Sequence, residues 1–448
     1  MKSKFATACL IMLAGVIAAG GAYAADDEER TRRDKQKTKH AQAVSKEVYD
    51  KILQAQEKVD EEDYKGALRV LENLNRGDKL TEYEKSNVLN YIGFVHYNMG
   101  NATAAIATYK EMLRIPSLED QIRKQTTYTL AQLSTMEELY VEAIRLLEQW
   151  FALEPNPAPD PFILYAQNLY QVDRYSDMIK PIETAMEIAN KRNKPAKEDW
   201  YVLLNFAYFQ QEDYRKVRDI QKILLVNWPK KRYWFSLAGA YTELGEDNNL
   251  FASYDAAHTQ GMLERESELV TMAQLYMQND VPYRAGTLLS SEMESGRVKR
   301  NAKNYRLLSQ AWQLAQEDEK SIPALKEAAR LSDEGELDLR LGNAYLNLGR
   351  YTECVSAVKA ALRKGGIKSP DNAQISLGMC LYNQQKYRPA INAFREARKT
   401  RRSARISNQW IKVINSEIAR NEQIALAEAA ARKQIRALAK RREASGRI

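Results

Sequence analysis

The sequence predicts an all-α fold, a right-handed superhelix of about ten stacked helical hairpins with a C-terminal capping helix. A small or near-small residue recurs at intervals of 33 to 39 residues and anchors the first helix of each hairpin. These anchors are Ala55, Gly93, Ala131, Ala166, Asn205, Ala238, Ala273, Ser309, Gly342 and Gly378. Nine residues after an anchor come Tyr64, Tyr140, Tyr175, Tyr214, Tyr351 and Tyr387. Twelve residues after an anchor come Ala67, Ala105, Ala143, Ala285, Cys354 and Ala390.

Aromatic residues also recur three positions after an anchor, at Tyr208, Tyr241, Tyr276, Trp312 and Tyr345. A single hairpin buries too little apolar surface to offset its chain entropy, whereas stacked hairpins cover one another. We therefore expect the aromatic residues to belong to the core and the small residues to lie where helices approach closely. This order of residues, with a period near 34, resembles the tetratricopeptide repeat. The resemblance implies a solenoid over residues 46–402.

The amino terminus predicts export. Lys2 and Lys4 precede a short apolar core, and Ala22-Tyr23-Ala24 forms a small-x-small cleavage site. We expect residues 1–24 to be a signal peptide cleaved after Ala24, which indicates a periplasmic protein. Residues 25–45 are charged and nearly free of apolar side chains, so they predict a disordered lead-in.

The carboxyl terminus, residues 403–448, predicts a capping helix followed by a basic, alanine-rich tail. Ile406, Trp410, Val413, Ile414 and Ile418 have helical spacing and suit the cover that a terminal repeat needs. Residues 395–448 contain 15 basic and 5 acidic side chains. The tail is either a solvated helix end or a contact for anionic lipid headgroups or an acidic protein. Its small basic region and the export signal disfavour nucleic acid as a partner.

Two cysteines, Cys354 and Cys380, follow the signal peptide. An exported domain of this size that relied on disulfide bonds would contain more of them. We therefore expect two buried free thiols, although an oxidising compartment leaves a bridge between neighbouring hairpins open.

The sequence contains no motif that predicts catalysis, a cofactor or a metal site. It has 3 histidines, no His-Glu-x-x-His motif, no glycine-rich phosphate loop and no serine elbow. Its carboxylates are spread over helix faces, where solvated ion pairs are the usual outcome. An enzyme that uses an unrecognised carboxylate pair is the reading we favour least.

Binding is better supported, because side-chain amides recur one and five residues after the anchors. These two positions share a face of the first helix, which in tetratricopeptide folds lines the concave groove. An amide both donates and accepts, so such a column can pair with an extended peptide backbone. The predicted amide contacts are Asn98, Gln132, Gln167, Gln171, Gln210, Gln274, Gln278, Gln310, Asn343, Asn347 and Asn383. The predicted aromatic contacts are Tyr97, Tyr170, Phe206, Phe209 and Tyr382.

A second candidate contact is the basic run Lys230, Lys231 and Arg232, between the fifth and sixth hairpins. The positions of Pro229 and Trp234 are explained by the repeat, whereas the three cations are not. We expect them on an exposed turn, available to an acidic partner or a lipid headgroup.

The complete layout resembles a narrower group, the periplasmic tetratricopeptide proteins associated with TonB-ExbB-ExbD energy-transduction systems. The resemblance rests on the export signal, the basic tail and the amino-acid sequence of the divergent repeats, including NWPKKRYWFSLAGAYTELGEDNNLFASYDAAHTQGMLERESELVTMAQLYMQNDVPYRAGTLL. It implies a non-enzymatic scaffold that helps to couple the proton-driven complex to uptake of iron chelates or similar nutrients, with TonB, ExbB or ExbD proteins as partners. The alternative is a scaffold for envelope assembly, such as outer-membrane protein insertion, polysaccharide export or cell-wall synthesis.

Overall fold

A computed structural model describes residues 44–77, 79–444 and 446, which form helices and turns and no strand. The predicted signal peptide and residues 25–43 of the predicted lead-in lie outside this part of the chain. The helices are α1 (Lys46–Asp60), α2 (Tyr64–Asn75), α3 (Glu82–Asn98), α4 (Ala102–Leu113), α5 (Asp120–Met136), α6 (Tyr140–Leu153), α7 (Pro159–Gln171), α8 (Tyr175–Lys191), α9 (Glu198–Gln210), α10 (Tyr214–Asn227), α11 (Lys231–Leu244), α12 (Asp247–Thr259), α13 (Glu266–Gln278), α14 (Pro282–Glu294), α15 (Ala302–Leu314), α16 (Asp318–Arg330), α17 (Glu336–Asn347), α18 (Tyr351–Lys364), α19 (Pro370–Asn383), α20 (Tyr387–Arg398) and α21 (Arg401–Ala444).

The described helices α1 to α20 follow one another as ten hairpins, and α21 comes after the last of them. The chain divides into two compact units, of which the first ends at Leu133 and the second begins at Ser134. In the first unit, α1 packs on α2 and α3 packs on α4. In the second unit, three apolar cores succeed one another, around α6–α11, α12–α16 and α16–α21. The predicted all-α array of helical hairpins with a capping helix is confirmed.

In hairpins that lie within one unit, the anchors and the small residues twelve positions later lie where the two helices touch. Ala67, Ala105, Ala285 and Ala390 are fully buried at the later position. Two glycine anchors show how close the approach is. A Cβ atom at Gly93 would lie 2.7 Å from the ring of Tyr109, and one at Gly378 would lie 2.7 Å from the ring of Phe394. A larger side chain at these anchors would push the second helix away.

The two sets of repeated aromatic residues differ in burial. The set three residues after the anchors is buried, as predicted. Two of these tyrosines also join neighbouring hairpins, since Tyr208 donates to Glu183 at 2.7 Å and Tyr276 donates to Asp255 at 2.6 Å. Burial is the main reason why the pKa of each phenol is raised to about 12. The tyrosines nine residues after the anchors are half-buried instead, so the prediction that they belong to the core holds only in part.

The turn inside each hairpin explains where those half-buried tyrosines lie. In all ten described hairpins the residue seven positions after the anchor has left-handed backbone, with φ between 58° and 75°. The next residue caps the second helix, and in three hairpins Asp63, Asn101 or Asp213 accepts a backbone N–H with its side chain. The tyrosine is then the first residue of the second helix, where it lies over the turn rather than inside the hairpin.

Cys354 in α18 and Cys380 in α19 form a disulfide bond, so the expectation of two free thiols was wrong. Their Cα atoms are 6.2 Å apart, within the range that a bridge spans. Cys354 occupies the small-residue position of its hairpin, and that position faces the first helix of the next hairpin. Both side chains are fully buried, which explains why each alone reads as a small apolar residue.

The amino-terminal part of α21 covers the last hairpin. Trp410 stacks on Phe394 with ring centroids 5.6 Å apart and an interplanar angle of 3°. Ile414 is fully buried in the same core. Arg402 Nε donates to Asp371 Oδ2 at 2.7 Å, and Ser403 donates to the same carboxylate. No helix among the described residues combines the length and the hydropathy needed to span a bilayer.

Candidate binding face

The predicted amide contacts of the second unit lie on one exposed side of its first helices, which we call the amide face. It comprises positions one and five residues after the anchors on α7, α9, α13, α15, α17 and α19. The exposed amides are Gln167, Gln171, Gln210, Gln274, Gln278, Asn343, Asn347 and Asn383, and Gln310 is half-buried. The predicted residues of the first unit are Asn98, which is exposed, and Tyr97 and Gln132, which are half-buried.

Some of these amides already use part of their hydrogen-bonding capacity within the protein. The Nδ2 atoms of Asn98 and Asn383 donate to carbonyl oxygens four residues earlier in their own helices, each at 2.9 Å. The Oδ1 atom of Asn343 accepts a hydrogen bond from Ser376 at 2.7 Å, which joins α17 to α19. These three residues therefore retain fewer free polar atoms for a partner than their sequence positions predicted.

The amide face has one depression that brings predicted residues together. A cavity of about 290 Å³ lies among α15, α16 and α17. Asn343 and Asn347 line it together with two arginines and a glutamine from α15 and α17. Its lining residues are Arg306, Ser309, Gln313, Leu325, Arg340, Asn343, Ala344 and Asn347.

The arginines make this cavity suitable for a negatively charged group. Arg306 and Arg340 are exposed, and among the described residues neither makes an ion pair. Two guanidinium groups beside amide donors provide the geometry that recognises a carboxylate, because each guanidinium presents a fork of N–H donors. Arg306, Arg340 and Gln313 were not among the predicted contacts. Arg306 stands three residues before its anchor and Arg340 two residues before its own, whereas Gln313 stands four residues after an anchor.

Aromatic side chains form a second feature of the amide face, on α7 to α10. Tyr170 and Phe206 meet edge to face at 5.0 Å, and Tyr175 contacts both rings. Phe209 lies against Tyr214 at 6.0 Å. Tyr170 is 38% exposed and Phe209 is 51% exposed, so both rings are open to an apolar side chain of a partner. Tyr382 lies elsewhere: its ring packs on Trp410 of the capping helix at 5.3 Å.

The basic run is not a free cationic patch. Lys230 Nζ lies 2.6 Å from Glu198, and Arg232 Nη2 lies 2.8 Å from the same carboxylate. Lys231 Nζ lies 2.9 Å from Glu268 in the next hairpin. Lys230 and Arg232 are exposed, as expected, but all three cations already pair with carboxylates of neighbouring first helices, which reduces the positive charge that they offer to an acidic partner.

Similar contacts link other hairpins at the start of their first helices. Lys197 pairs with Asp160 at 3.4 Å, and Asn304 Nδ2 donates to Glu266 at 2.8 Å. In each case an acidic residue in the first turn of one first helix meets a polar residue at the start of the next. The spacing of 37 or 38 residues follows the repeat. The Lys197–Asp160 pair is exposed to solvent, as expected for charges on helix faces, whereas Glu266 contributes to a contact between hairpins.

The described residues contain no group of three or more histidine, cysteine, aspartate or glutamate side chains arranged to hold a metal ion. His258 Nδ1 lies 3.3 Å from the hydroxyl of Tyr276, beside Asp255. This contact fastens α12 to α13 rather than preparing a proton transfer, because Tyr276 is buried in the core between them.

Comparison with known proteins supports the repeat assignment locally. A family model described as Tetratricopeptide repeat matches residues 339–363, which covers most of α17 and of α18. A sequence comparison with curated proteins finds no match.

The solved structures to which this chain is similar include the following three. MamA 41-end from Desulfovibrio magneticus RS-1 is 15% identical over 41% of this chain and 96% of its own, with a TM-score of 0.33. The TPR2AB domain of yeast Sti1, solved as a pHSP90 complex, is 16% identical over 60% of this chain and 98% of its own, with a TM-score of 0.33. YrrB, described as a TPR protein with an unusual peptide-binding site, is 16% identical over 39% of this chain and 89% of its own, with a TM-score of 0.32.

Proposed function

We propose that this protein is a non-catalytic interaction scaffold that binds an extended segment of a protein partner on the amide face. The observation that carries the proposal is the cavity in which Asn343 and Asn347 stand beside Arg306 and Arg340. Its donors are placed for an acidic side chain or a terminal carboxylate of the bound segment. Exposed repeats with open helix faces are the usual docking surfaces of solenoid proteins.

The remaining features of the face suit the rest of such a segment. Amides at Gln274 and Gln278 can donate to and accept from a peptide backbone without reading its sequence. Tyr170 and Phe209 offer apolar contact area, and aromatic anchors of this kind dominate the binding energy of many interfaces. The proposed ligand is therefore an extended segment with an acidic group and an apolar side chain.

We further propose that the protein works in the periplasm as an accessory of a TonB-ExbB-ExbD system. The support is the sequence resemblance, the predicted signal peptide over residues 1–24 and the Cys354–Cys380 bond, which suits an oxidising compartment. TonB, ExbB or ExbD would then supply the bound segment. An envelope-assembly scaffold is the second candidate, since it would use the same face with a different partner.

The test is site-specific photo-crosslinking in cells that produce the protein. A crosslinking amino acid replaces Asn347 in the cavity, and the matched control replaces Lys326, an exposed residue of α16 outside the cavity lining. We expect the Asn347 position to capture a discrete protein that mass spectrometry identifies, and the Lys326 position to capture far less of it. Equal capture at both positions would refute binding on the amide face.

The identity of the captured protein decides the finer proposal. TonB, ExbB or ExbD supports the energy-transduction role, whereas outer-membrane or cell-wall assembly factors move the protein to the second candidate. The double substitution Arg306→Gln and Arg340→Gln should reduce capture about tenfold or more, because charge-assisted hydrogen bonds are lost. The substitutions Lys303→Gln and Lys326→Gln remove the same charge from residues outside the cavity and should leave capture intact.

A further inference from the structure

The carboxyl-terminal half of α21 is a helix with no cover. Residues 419–443 are all exposed, whereas earlier parts of α21 pack on the last hairpin. At 1.5 Å per residue this segment extends for about 37 Å. Because every residue of this segment is exposed, the segment is available as a contact surface.

One side of this segment is apolar. Ile424, Ala427, Ala431, Ile435 and Leu438 follow one another at spacings of three and four residues, so they share a face. Ile424 is 50% exposed, Ile435 is 65% exposed and Leu438 is 58% exposed. These side chains form a narrow apolar stripe that nothing in the described structure covers.

The other sides of the segment are cationic. Between Ala429 and Arg442 the sequence has six basic side chains, Arg432, Lys433, Arg436, Lys440, Arg441 and Arg442, and no acidic one. Arg432 and Arg441 border the apolar stripe, while Lys433, Arg436 and Lys440 lie on the opposite side. Arg442 stands four residues after Leu438 and therefore ends the stripe on its own face. Within the described chain, no ion pair involves Lys433, Arg436 or Lys440, and Arg432 reaches Glu428 only at 3.7 Å.

We propose that this segment of α21 is a peripheral membrane-binding helix that lies on a bilayer rich in anionic lipid. The stripe would enter the boundary between headgroups and acyl chains, and the cations would meet phosphate groups. The occupant follows from charge complementarity, because the segment presents a block of positive charge beside exposed isoleucine and leucine. In this block Lys433, Arg436 and Lys440 make no ion pair within the described chain. This surface is separate from the amide face, so the proposal does not depend on the proposed function.

A second copy of the same helix fits less well. Two such segments side by side would bring two cationic blocks together, with few carboxylates to compensate them. The stripe is also narrow, and alanine occupies two of its five positions, so a helix pair would bury little apolar area. A bilayer interface supplies negative charge for the cations and an apolar layer into which the narrow stripe can insert.

The experiment is co-sedimentation of the full mature chain with vesicles of phosphatidylcholine alone and of phosphatidylcholine mixed with phosphatidylglycerol. The wild-type protein should bind the mixed vesicles, bind the neutral ones weakly, and lose affinity as salt rises. The fourfold substitution of Arg432, Lys433, Arg436 and Lys440 by glutamine should reduce binding about tenfold or more. The triple substitution Ile424→Gln, Ile435→Gln and Leu438→Gln, which keeps all charges, should reduce it by about tenfold as well.

The matched control replaces four exposed cations of other helices, Lys180, Arg215, Lys303 and Lys326, by glutamine and changes the net charge equally. It should bind like the wild-type protein. Loss of binding in the control, or equal binding to neutral vesicles, would overturn the proposal. A wild-type protein that ignores vesicles but binds polyglutamate would assign the helix to an acidic protein instead. Circular dichroism of each variant checks that helix content is retained.

Discussion

At the scale of single residues, the carboxylate of Glu198 shows how repeated charges hold neighbouring hairpins together. Both of its oxygens lie 2.6 Å from Lys230 Nζ, and Tyr233 donates to it as well. The hydrogen bond from Lys230 is the main reason why the pKa of Glu198 is lowered to about 2. The charged carboxylate is therefore part of the folded contact between α9 and α11.

This depressed pKa predicts a pH dependence with a definite sign. An unfolded glutamate titrates near pH 4.3, so the contribution of Glu198 to stability is complete above that pH. It is lost as pH falls from about 4.3 towards the folded pKa of about 2. We expect Glu198→Gln to lower the urea midpoint at neutral pH and to match the wild-type protein more closely below pH 4. The control Glu137→Gln removes an exposed carboxylate that makes no ion pair among the described residues. A constant difference between Glu198→Gln and wild type across this range would contradict the prediction.

The left-handed turn residues give a second prediction at this scale. Gln316 has φ of 59° and Gly245 has φ of 67° at the same position of two hairpins. Left-handed backbone costs a non-glycine residue about 1–2 kcal/mol, and the extra entropy of unfolded glycine offsets about half of that. Gln316→Gly should therefore stabilise the protein by up to about 1 kcal/mol. Gly245→Ala should destabilise it, although a Cβ atom there meets nothing within 4 Å. Urea unfolding followed by circular dichroism measures both, and midpoint shifts of the same sign would refute the argument.

At the scale of helices, the bond between Cys354 and Cys380 joins α18 of one hairpin to α19 of the next. It closes a loop with a sequence separation of 26 residues, for which the loop-closure model gives about 3–4 kcal/mol. The double substitution Cys354→Ala and Cys380→Ala should lower the free energy of unfolding by about that amount. The variant should still fold. Alanine suits the position of Cys354, since it occupies the same position in five other hairpins.

The control for this prediction is the reductant itself. Dithiothreitol should lower the urea midpoint of the wild-type protein and leave that of the double variant unchanged. Thiol titration of the unfolded, unreduced protein produced from residue 25 onward, without the predicted signal peptide that contains Cys9, should find no free cysteine. Two free thiols, together with a midpoint that reductant does not move, would show that the bond does not form.

The helices also show which features the sequence could predict. The small and aromatic positions relative to the anchors predicted the hairpins, because close packing allows few residues there. The left-handed turn was missed, although Gly100, Gly245 and Gly349 stand at a constant offset, because seven hairpins have other residues at that position. The Glu198 contacts were missed for a different reason, and the disulfide was only left open as the alternative to two free thiols. They join successive hairpins, and helical periodicity describes one helix at a time. Of the residues that line the cavity, only Asn343 and Asn347 were among the predicted contacts, since Arg306 and Arg340 stand at different offsets from their anchors.

At the scale of the whole molecule, the two proposed activities lie on different surfaces. The cavity of the amide face is built from α15, α16 and α17, and the proposed membrane contact uses α21 beyond residue 418. The part of α21 that covers the last hairpin includes Trp410, Ile414 and Ile418, and it ends before the exposed segment begins. A chain that stops after Asn421 would keep this cover and lose both the apolar stripe and the block of cations.

We therefore expect truncation after Asn421 to separate the two activities. The shortened chain should keep the wild-type urea midpoint and the partner captured from the Asn347 position, because α15 to α17 and the core around Phe394 are unchanged. It should fail to sediment with phosphatidylglycerol vesicles, because its exposed cations and stripe are gone. A further truncation after Thr400 removes Arg402, Ser403 and Trp410, so it should lower the midpoint by uncovering the last hairpin. Loss of partner capture in the chain ending at Asn421 would show that one continuous surface, rather than two, carries both activities.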